Sequence, residues 1–467
     1  MAEPHVVVLG GGPAGCGAAY QLRRRARARV TLVEQNTVVG GNAGSFLHGG
    51  IHLDYGSHRL HAACDPAILA DIRALLGDDL ADRERHGRIL LRGRFVHFPL
   101  NAKDLLLRLD RAFAAGALRD MLLRALGVAK SPGSTFASVL QANLGPTICE
   151  YFYFPYARKI WGRAPEELSG IQARKRVTAG TFAKLIKRLA KPPGKGRFYY
   201  PRRGYGQLSQ AYADAAASLG ATLLLGWRVG AITRTGADGG AWRLTVTQGN
   251  QTREIVADHV WSTLPATLIA RMMDPAPPPA VLAAASAIGY RAMVLAYIEL
   301  DCDQYTTTDA HYFPEAHIRS TRISEPKNYF GLAEPRGRTV LCAELPCAVG
   351  DDLWQASDQA LADVVVEDLR RAGLPSCRPT GAFTRRLPHA YPVYTLGYEE
   401  PLARLQQWLD AQPGFLSYGR QGLFAHDNTH HALYMAYCAV DCLDGGRFDA
   451  AAWVAHREVF ATHVVED

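Results

Sequence analysis

The 467-residue chain has no uncharged apolar run of about 18 residues, the length a membrane-spanning helix needs. Its nearest stretch, Ala280 to Leu300, is interrupted by Arg291, and Tyr290 to Leu300 reads better as a buried strand. The nine cysteines include no Cys-x-x-Cys pair, which argues against thiolate metal ribbons and dithiol redox centres and leaves free buried thiols in a reducing compartment. The first strand begins at His5, leaving no room ahead of it for a signal peptide, so a cytoplasmic protein is expected. Repeats and low-complexity blocks are also missing, so solenoids are set aside. The acidic residues are unevenly spread. None lies between Glu167 and Asp214, a stretch that holds Arg174, Lys175, Arg176, Lys184, Lys187, Arg188, Lys191, Lys195, Arg197, Arg202 and Arg203, more positive charge than the net +8 of the whole chain. With 48% hydrophobic residues the chain is long enough for two or three domains with substantial cores.

The most informative segment is the first. An apolar run from His5 to Leu9 leads into Gly10-x-Gly12-Pro13-Ala14-Gly15, a helix-like stretch from Cys16 to Arg25 follows, and a second run, Val30 to Val33, ends in Glu34. Strand, glycine turn, helix, strand and terminal acid at about 19 residues make a dinucleotide-binding unit. Gly10 permits the tight turn, Gly12 lets backbone N–H groups approach a pyrophosphate at the positive helix end, and Gly15 allows close helix-strand packing. Glu34 is expected to accept from the ribose hydroxyls.

A second glycine turn, Gly40-Gly41-Asn42-Ala43-Gly44-Ser45, and the segment Gly50 to Arg59, with Asp54-Tyr55-Gly56-Ser57-His58, come directly after the acid. A nicotinamide domain has no need of such a turn, whereas an extended FAD requires room for its ribityl chain and flavin. These motifs resemble the FAD-dependent amine oxidoreductases, in the branch of the protoporphyrinogen oxidases and UDP-galactopyranose mutases. The resemblance continues at Tyr153-Phe154-Pro155-Tyr156 to Trp161, at Tyr312-Phe313-Pro314-Glu315 with Arg322 to Asn328, and at Ala390-Tyr391-Pro392. It implies an α/β architecture: a discontinuous Rossmann-type FAD domain from residues 1–75, 199–270 and 406–467, a helical insertion at 76–198 and a β-rich substrate domain at 271–405. It also implies that the backbone at Val229 binds the adenine, and that Gly419, Arg420 and the turn Asp427-Asn428-Thr429 approach the flavin. Asp427, Asn428 and Thr429 are equally competent helix caps. Gly41, Asn42, Ala43 and His58 complete the expected cofactor wall.

Other features are open to more than one reading. The basic stretch is a solvated face, a funnel for an anionic substrate using Arg174, Arg176, Arg202 and Arg203 alongside Tyr312 and Arg322, or a contact for anionic lipid. Nucleic acid is not expected, because no recognisable module accompanies the charge. Asn101 to Gly127 has helical spacing of Leu105, Leu106, Leu109, Phe113, Leu118, Leu122 and Leu126; a core-facing helix is the expectation, and its arginines admit a peripheral membrane contact. His426, His430 and His431 invite a metal, but adjacent histidines project differently and no cysteine or carboxylate cluster completes the set, so none is expected.

Flavin carries the electrons, so no protein nucleophile is required. Proton-transfer candidates are His58, foremost, with Tyr156 and Tyr391, then His61, Tyr312 and His426. The leading function is hydride transfer between an anionic or nucleotide-linked small molecule and flavin N5. The alternative is a UDP-galactopyranose mutase-like isomerase using reduced FAD without net redox change, with a non-catalytic flavoprotein behind both. The electron acceptor, substrate and oligomeric state are not written in the sequence.

Overall fold

Strand His5–Leu9 is buried along its whole length, with Val6 and Val8 facing one core and Val7 and Leu9 another. A strand buried on both faces belongs inside a parallel sheet covered on each side. In the computed structural model it is the middle strand of five parallel strands in the order Thr222–Leu225, Arg29–Glu34, His5–Leu9, His259–Ser262 and Phe415–Ser417. The structure describes all residues except 1–2, 99, 101–103, 105–106, 128–132, 176–195, 236–239 and 466–467.

On one side of this sheet the helices Pro13–Arg24, Gln207–Ser218 and Thr429–Asp441 pack together, with Ala18, Leu22 and Leu433 closing over Val6 and Val8. On the other lies an antiparallel sheet of Arg228–Arg234, Trp242–Gln248 and Gln251–Ala257, whose register shifts between Val229 and Ala231. Strands from three distant parts of the chain therefore meet at one carboxyl edge, where α/β sheets bind ligands.

A seven-stranded sheet forms the second layer, in the order Gly381–Val393, Gly289–Leu300, Thr339–Cys347, Arg322–Ser324, Ala310–Tyr312, Gly87–Leu91 and Arg94–Phe98. Strand Gly289–Leu300 alternates as a sheet buried on both faces must. Val294, Ala296 and Ile298 face the helix Asp358–Arg371, while Met293, Leu295 and Tyr297 face the hairpin Ser45–His48 and Ile51–Asp54. That packing holds the segment from Asp54 to Arg59 between the two sheets. Tyr297 Oη donates to the Asp54 carbonyl at 2.7 Å.

Two expectations change. The stretch 76–198 is not helical throughout: Leu80–Glu84 pairs with Arg197–Pro201, and the hairpin Gly87–Phe98 joins the large sheet through Ala310–Tyr312. The single helix foreseen from Asn101 is broken: Asp104 and Leu107 are helical, residues 108–110 are not, and a helix Arg111–Ala125 follows, where Asp110 accepts the Phe113 N–H at 3.0 Å. Its core-facing role holds for Phe113 and fails beyond it, because Leu118, Leu122 and Leu126 are 40, 60 and 74% exposed. Arg111, Arg119 and Arg124 stand among mostly small residues, and only Phe113 and Asp120 of the helix are buried. All nine cysteines are free, and most are buried. Among the described residues no helix is long and apolar enough to cross a membrane.

Candidate active site

At the carboxyl edge of the parallel sheet Gly10 adopts φ +98°, and a Cβ there would meet Thr263 Oγ1 at 2.4 Å. Helix Pro13–Arg24 starts immediately afterwards with Pro13 in its first turn, and no side chain caps it. Its first N–H groups are thus available to a phosphate, and the helix dipole favours one. Gly12 has no atom within 4 Å of an added Cβ, so the turn is open on the cavity side, whereas a Cβ on Gly15 would lie 1.9 Å from the Gly10 carbonyl oxygen. Glu34 ends its strand buried, with its carboxylate accepting the Gly11 N–H at 2.7 Å and the Asn36 N–H and Nδ2–H at 2.8 and 2.7 Å.

The turn Gly41–Ala43 sits against this loop through the Gly40 N–H, which donates to the Gly11 carbonyl at 2.7 Å, and Asn42 Nδ2 reaches the His389 carbonyl at 3.0 Å. Opposite, Gly419 adopts φ +75° beside Ala14, and Arg420 lies over the Tyr391 ring, its Nη2 donating to the Ala390 carbonyl at 3.2 Å. Asn428 caps the helix Thr429–Asp441, and Asp427 is buried just before it.

A single cavity of about 1180 Å³ connects these parts. Gly10, Gly12, Pro13, Ala14, Glu34, Gly41, Asn42, Ala43, His58, Val229, Arg420, Asp427, Asn428 and Thr429 all line it. Gly15 and Gly419 do not; they act behind the wall, letting helix, strand and turn approach. An extended dinucleotide fits this arrangement: an open glycine turn at a helix start, a ribose acceptor, and a bulged strand at Val229.

Beyond the glycine turns the cavity continues into an aromatic chamber. Phe98 stacks on Tyr312 with centroids 4.3 Å apart, Phe152 lies parallel to Tyr156, and Tyr391 closes the wall near His426. Tyr156 projects from helix Phe154–Trp161, which follows a wide turn of π type at Cys149–Tyr153, a feature common at functional sites. Burial holds the Tyr156 phenol well above its ordinary value, so it stays protonated. His58 lies between the glycine turns and this chamber. Its Nε2 is 2.9 Å from the Tyr55 carbonyl, an acceptor that places the proton on Nε2, and burial pushes its pKa down to about 4. The ring is neutral near pH 7. Arg322 makes a double contact with Glu344, Nη2 to the two carboxylate oxygens at 2.7 and 2.9 Å, and lies over Tyr312. Glu344 also accepts the Ser57 N–H at 2.7 Å.

Residues 176–195 of the basic stretch lie outside the described residues; of the rest, Arg197 lines the cavity, paired with Asp82 at 2.9 Å, while the arginines of the stretch expected to meet substrate do not. Arg174 is exposed and off the cavity, Arg176 lies outside the described residues, and Arg202 and Arg203 are exposed with Asp79 at 3.2 and 3.4 Å. Those two arginines are therefore removed from the substrate set; they precede the Gly204 turn on its outer side. Lys175 is buried instead, donating to the Phe460 carbonyl at 3.1 Å with its Nζ 4.0 Å from Asp427 Oδ1. Of the three histidines considered for a metal, His426 Nε2 lies 2.6 Å from the Pro392 carbonyl. The fold instead groups Asp427, His431 and His463 with ligand atoms within 4.8 Å, a set completed from the C-terminal segment that adjacency in sequence does not reveal. Sequence reasoning also passed over Arg59 and Glu344, both on the chamber wall; Arg59 follows the quoted His58 directly, and Glu344 sits in an otherwise apolar strand, which was the available signal.

The family described as flavin containing amine oxidoreductase matches residues 13–441. The crystal structure of a reduced UDP-galactopyranose mutase is similar with a TM-score of 0.81 at 22% identity, over 99% of this chain and 100% of the other. A putative protoporphyrinogen oxidase from Exiguobacterium sp. 255-15 gives 0.73 at 21% identity, over 94% and 98%. At these identities the likeness concerns the fold. A phytoene dehydrogenase of Streptomyces griseus is 27% identical over 271 residues, 50% of this chain and 50% of the relative, so the chain matches about half the length of that curated protein.

Proposed function

Because the chain belongs to the flavin containing amine oxidoreductases, with FAD as its cofactor, we propose that it is an oxidoreductase moving hydride between a small-molecule carbon and the flavin. FAD, when bound, supplies the hydride acceptor. The observation that carries the reading is the continuity of the cavity. At about 1180 Å³ it exceeds the ~300–1,000 Å³ usual for one small ligand, and it joins the dinucleotide cradle at Gly12 and Glu34 to the chamber at Tyr156 and Tyr312. One end suits a cofactor and the other a substrate.

The chain's own residues hold and screen. Phe98, Phe152 and Tyr391 exclude water, which strengthens every polar contact inside. Tyr156, kept protonated, donates a hydrogen bond from Oη, and His58, with Nε2–H spent on Tyr55, offers Nδ1 as the acceptor of the proton that leaves substrate with the hydride. Arg322, fixed by Glu344, orients polar substrate groups.

A second reading, redox-neutral isomerisation of a nucleotide sugar on the reduced cofactor, is supported by the turn Gly41-Asn42-Ala43 and by Tyr55-Gly56-x-His58-x-x-His61, which resemble the mutase pattern, and by the full-length likeness in fold. Anaerobic mixing with candidate substrates separates the two. The leading reading requires substrate to bleach oxidised FAD and an acceptor to restore it. Sustained turnover after a single reduction, with an isomeric product, replaces it by the mutase.

A further inference from the structure

Arg59 lies on the cavity wall next to His58, and its guanidinium is stacked on Phe198 and Tyr329, with Cζ 5.3 and 5.0 Å from the ring centroids. Nη1 donates to Tyr312 Oη at 3.3 Å. Nε and Nη2 are sealed from solvent, and neither has a hydrogen-bond partner among the described residues. The acid whose field reaches it, Asp309, already accepts the His86 N–H at 2.7 Å and forms no ion pair with Arg59. Tyr329 is itself fixed by a short hydrogen bond with Ser57 Oγ, so the stack that carries Arg59 is rigid.

The contrast with Arg322 gives this its meaning. Both guanidiniums flank Tyr312, Arg59 bonded to its hydroxyl and Arg322 with Cζ 5.6 Å above its ring. Arg322 is neutralised by Glu344 through three contacts of 2.7 to 2.9 Å. Among the described residues Arg59 has no such carboxylate, so its positive charge stands in the chamber without a counter-charge. A buried cation is ordinarily paired, because desolvation is only partly offset by ring faces. The missing counter-charge is then one that arrives with a ligand, and a guanidinium with unspent donors suits the planar or tetrahedral oxygens of a carboxylate or phosphate. The surrounding rings of Phe98 and Tyr312 suit an apolar or flat group next to that anion.

We propose that Arg59 binds one anionic group, carboxylate or phosphate, of an otherwise apolar substrate, and that the chamber rejects the cationic amines suggested by the family's name. The assignment rests on the reading of the chamber as the substrate end of a flavin cavity. An ammonium group placed there would face the unpaired charge of Arg59, since Arg322 is spent on Glu344, and like charges in a dry pocket discriminate strongly.

The test uses the full chain loaded with FAD, titrated with benzoate, phenyl phosphate and benzylamine, with binding followed both by the flavin difference spectrum and by calorimetric heat. One or both anions should bind saturably at one site while benzylamine does not, and the tighter anion identifies the carboxylate or the phosphate as the source of the charge. Arg59→Gln should weaken the anion at least tenfold with FAD content unchanged, and Arg59→Lys, which keeps the charge, should recover part of the loss and shows that the site tolerates substitution. Benzylamine binding as tightly as the anions, neither anion binding, or an unaltered affinity in Arg59→Gln overturns the proposal. Failure to take up FAD would instead count against the flavin reading, since Arg59-dependent heat from the anion is measured without it.

Discussion

The carboxylate of Glu34 accepts the backbone N–H of Gly11 at 2.7 Å, tying the acid that ends the second strand to the glycine turn that ends the first. The same group takes both N–H donors of Asn36, so it holds the turn in place while facing the cavity. Glu34→Arg removes every one of these acceptors and puts a donor where the ribose hydroxyls would donate. FAD affinity should fall at least tenfold, about 1.4 kcal/mol, and the loop should loosen. Fluorescence titration of the stripped protein with FAD measures it; unchanged affinity would remove Glu34 from the cofactor site.

Arg202 and Arg203 make the opposite prediction. Both are exposed with Asp79 as their carboxylate partner, and Arg202 also lies over the Phe330 ring, an arrangement whose charges solvent and salt screen. Replacing both with Gln should leave KM, its salt dependence and flavin content as they were, with a stability change of about 0.5 kcal/mol or less. A raised KM would mean that these arginines reach substrate after all.

Burial of His58 gives the protein a built-in acid sensitivity. An unfolded histidine titrates near 6.5, whereas the folded ring is pushed down to about 4, first by desolvation and then by Arg322 and Arg420. Between those values the unfolded chain takes up a proton that the folded one refuses, so stability is lost as pH falls from about 6.5 toward 4. His311 and His430, buried and also held near 4, act in the same direction. His58→Gln should therefore lose on the order of 2 kcal/mol less than the parent between pH 7.5 and 4.5 in urea unfolding. If His58 is the proton acceptor, kcat/KM should show no inflection near pH 6.5; parallel unfolding profiles or an inflection there would place the ring in water.

What was legible in the sequence was local. Strand, glycine turn, helix and acid from His5 to Glu34 stand within one short segment, and each element is determined by neighbours in the chain. The strand Gly289–Leu300 was equally readable, because a run buried on both faces needs no polar alternation. The hairpin Gly87–Phe98 was not, since its partner strand Ala310–Tyr312 lies more than two hundred residues on and only that pairing makes it part of a sheet. Within the basic stretch, charge count alone says nothing of direction: Arg202 points to Asp79 while Lys175 turns inward to Asp427. Arg59 escaped notice because a single arginine acquires significance only when its missing carboxylate is seen.

Two glycines of the first turn separate cofactor binding from folding. A Cβ on Gly15 would fall 1.9 Å from the Gly10 carbonyl oxygen, a backbone atom that cannot move without dragging the strand, whereas a Cβ on Gly12 meets no protein atom within 4 Å. Gly15→Ala should thus lower stability by about 1–3 kcal/mol through overpacking, even in protein stripped of FAD. Gly12→Ala should fold as stably as the parent, because its φ of −74° is ordinary for alanine. Its methyl group would nevertheless project into the cavity where a pyrophosphate approaches the helix start, so FAD affinity should fall at least tenfold. Thermal unfolding with and without added FAD reads both effects: Gly15→Ala shifts both curves, and Gly12→Ala shifts only the curve with FAD. Equal FAD-induced stabilisation of Gly12→Ala and the parent would mean that the pyrophosphate does not pass over this turn.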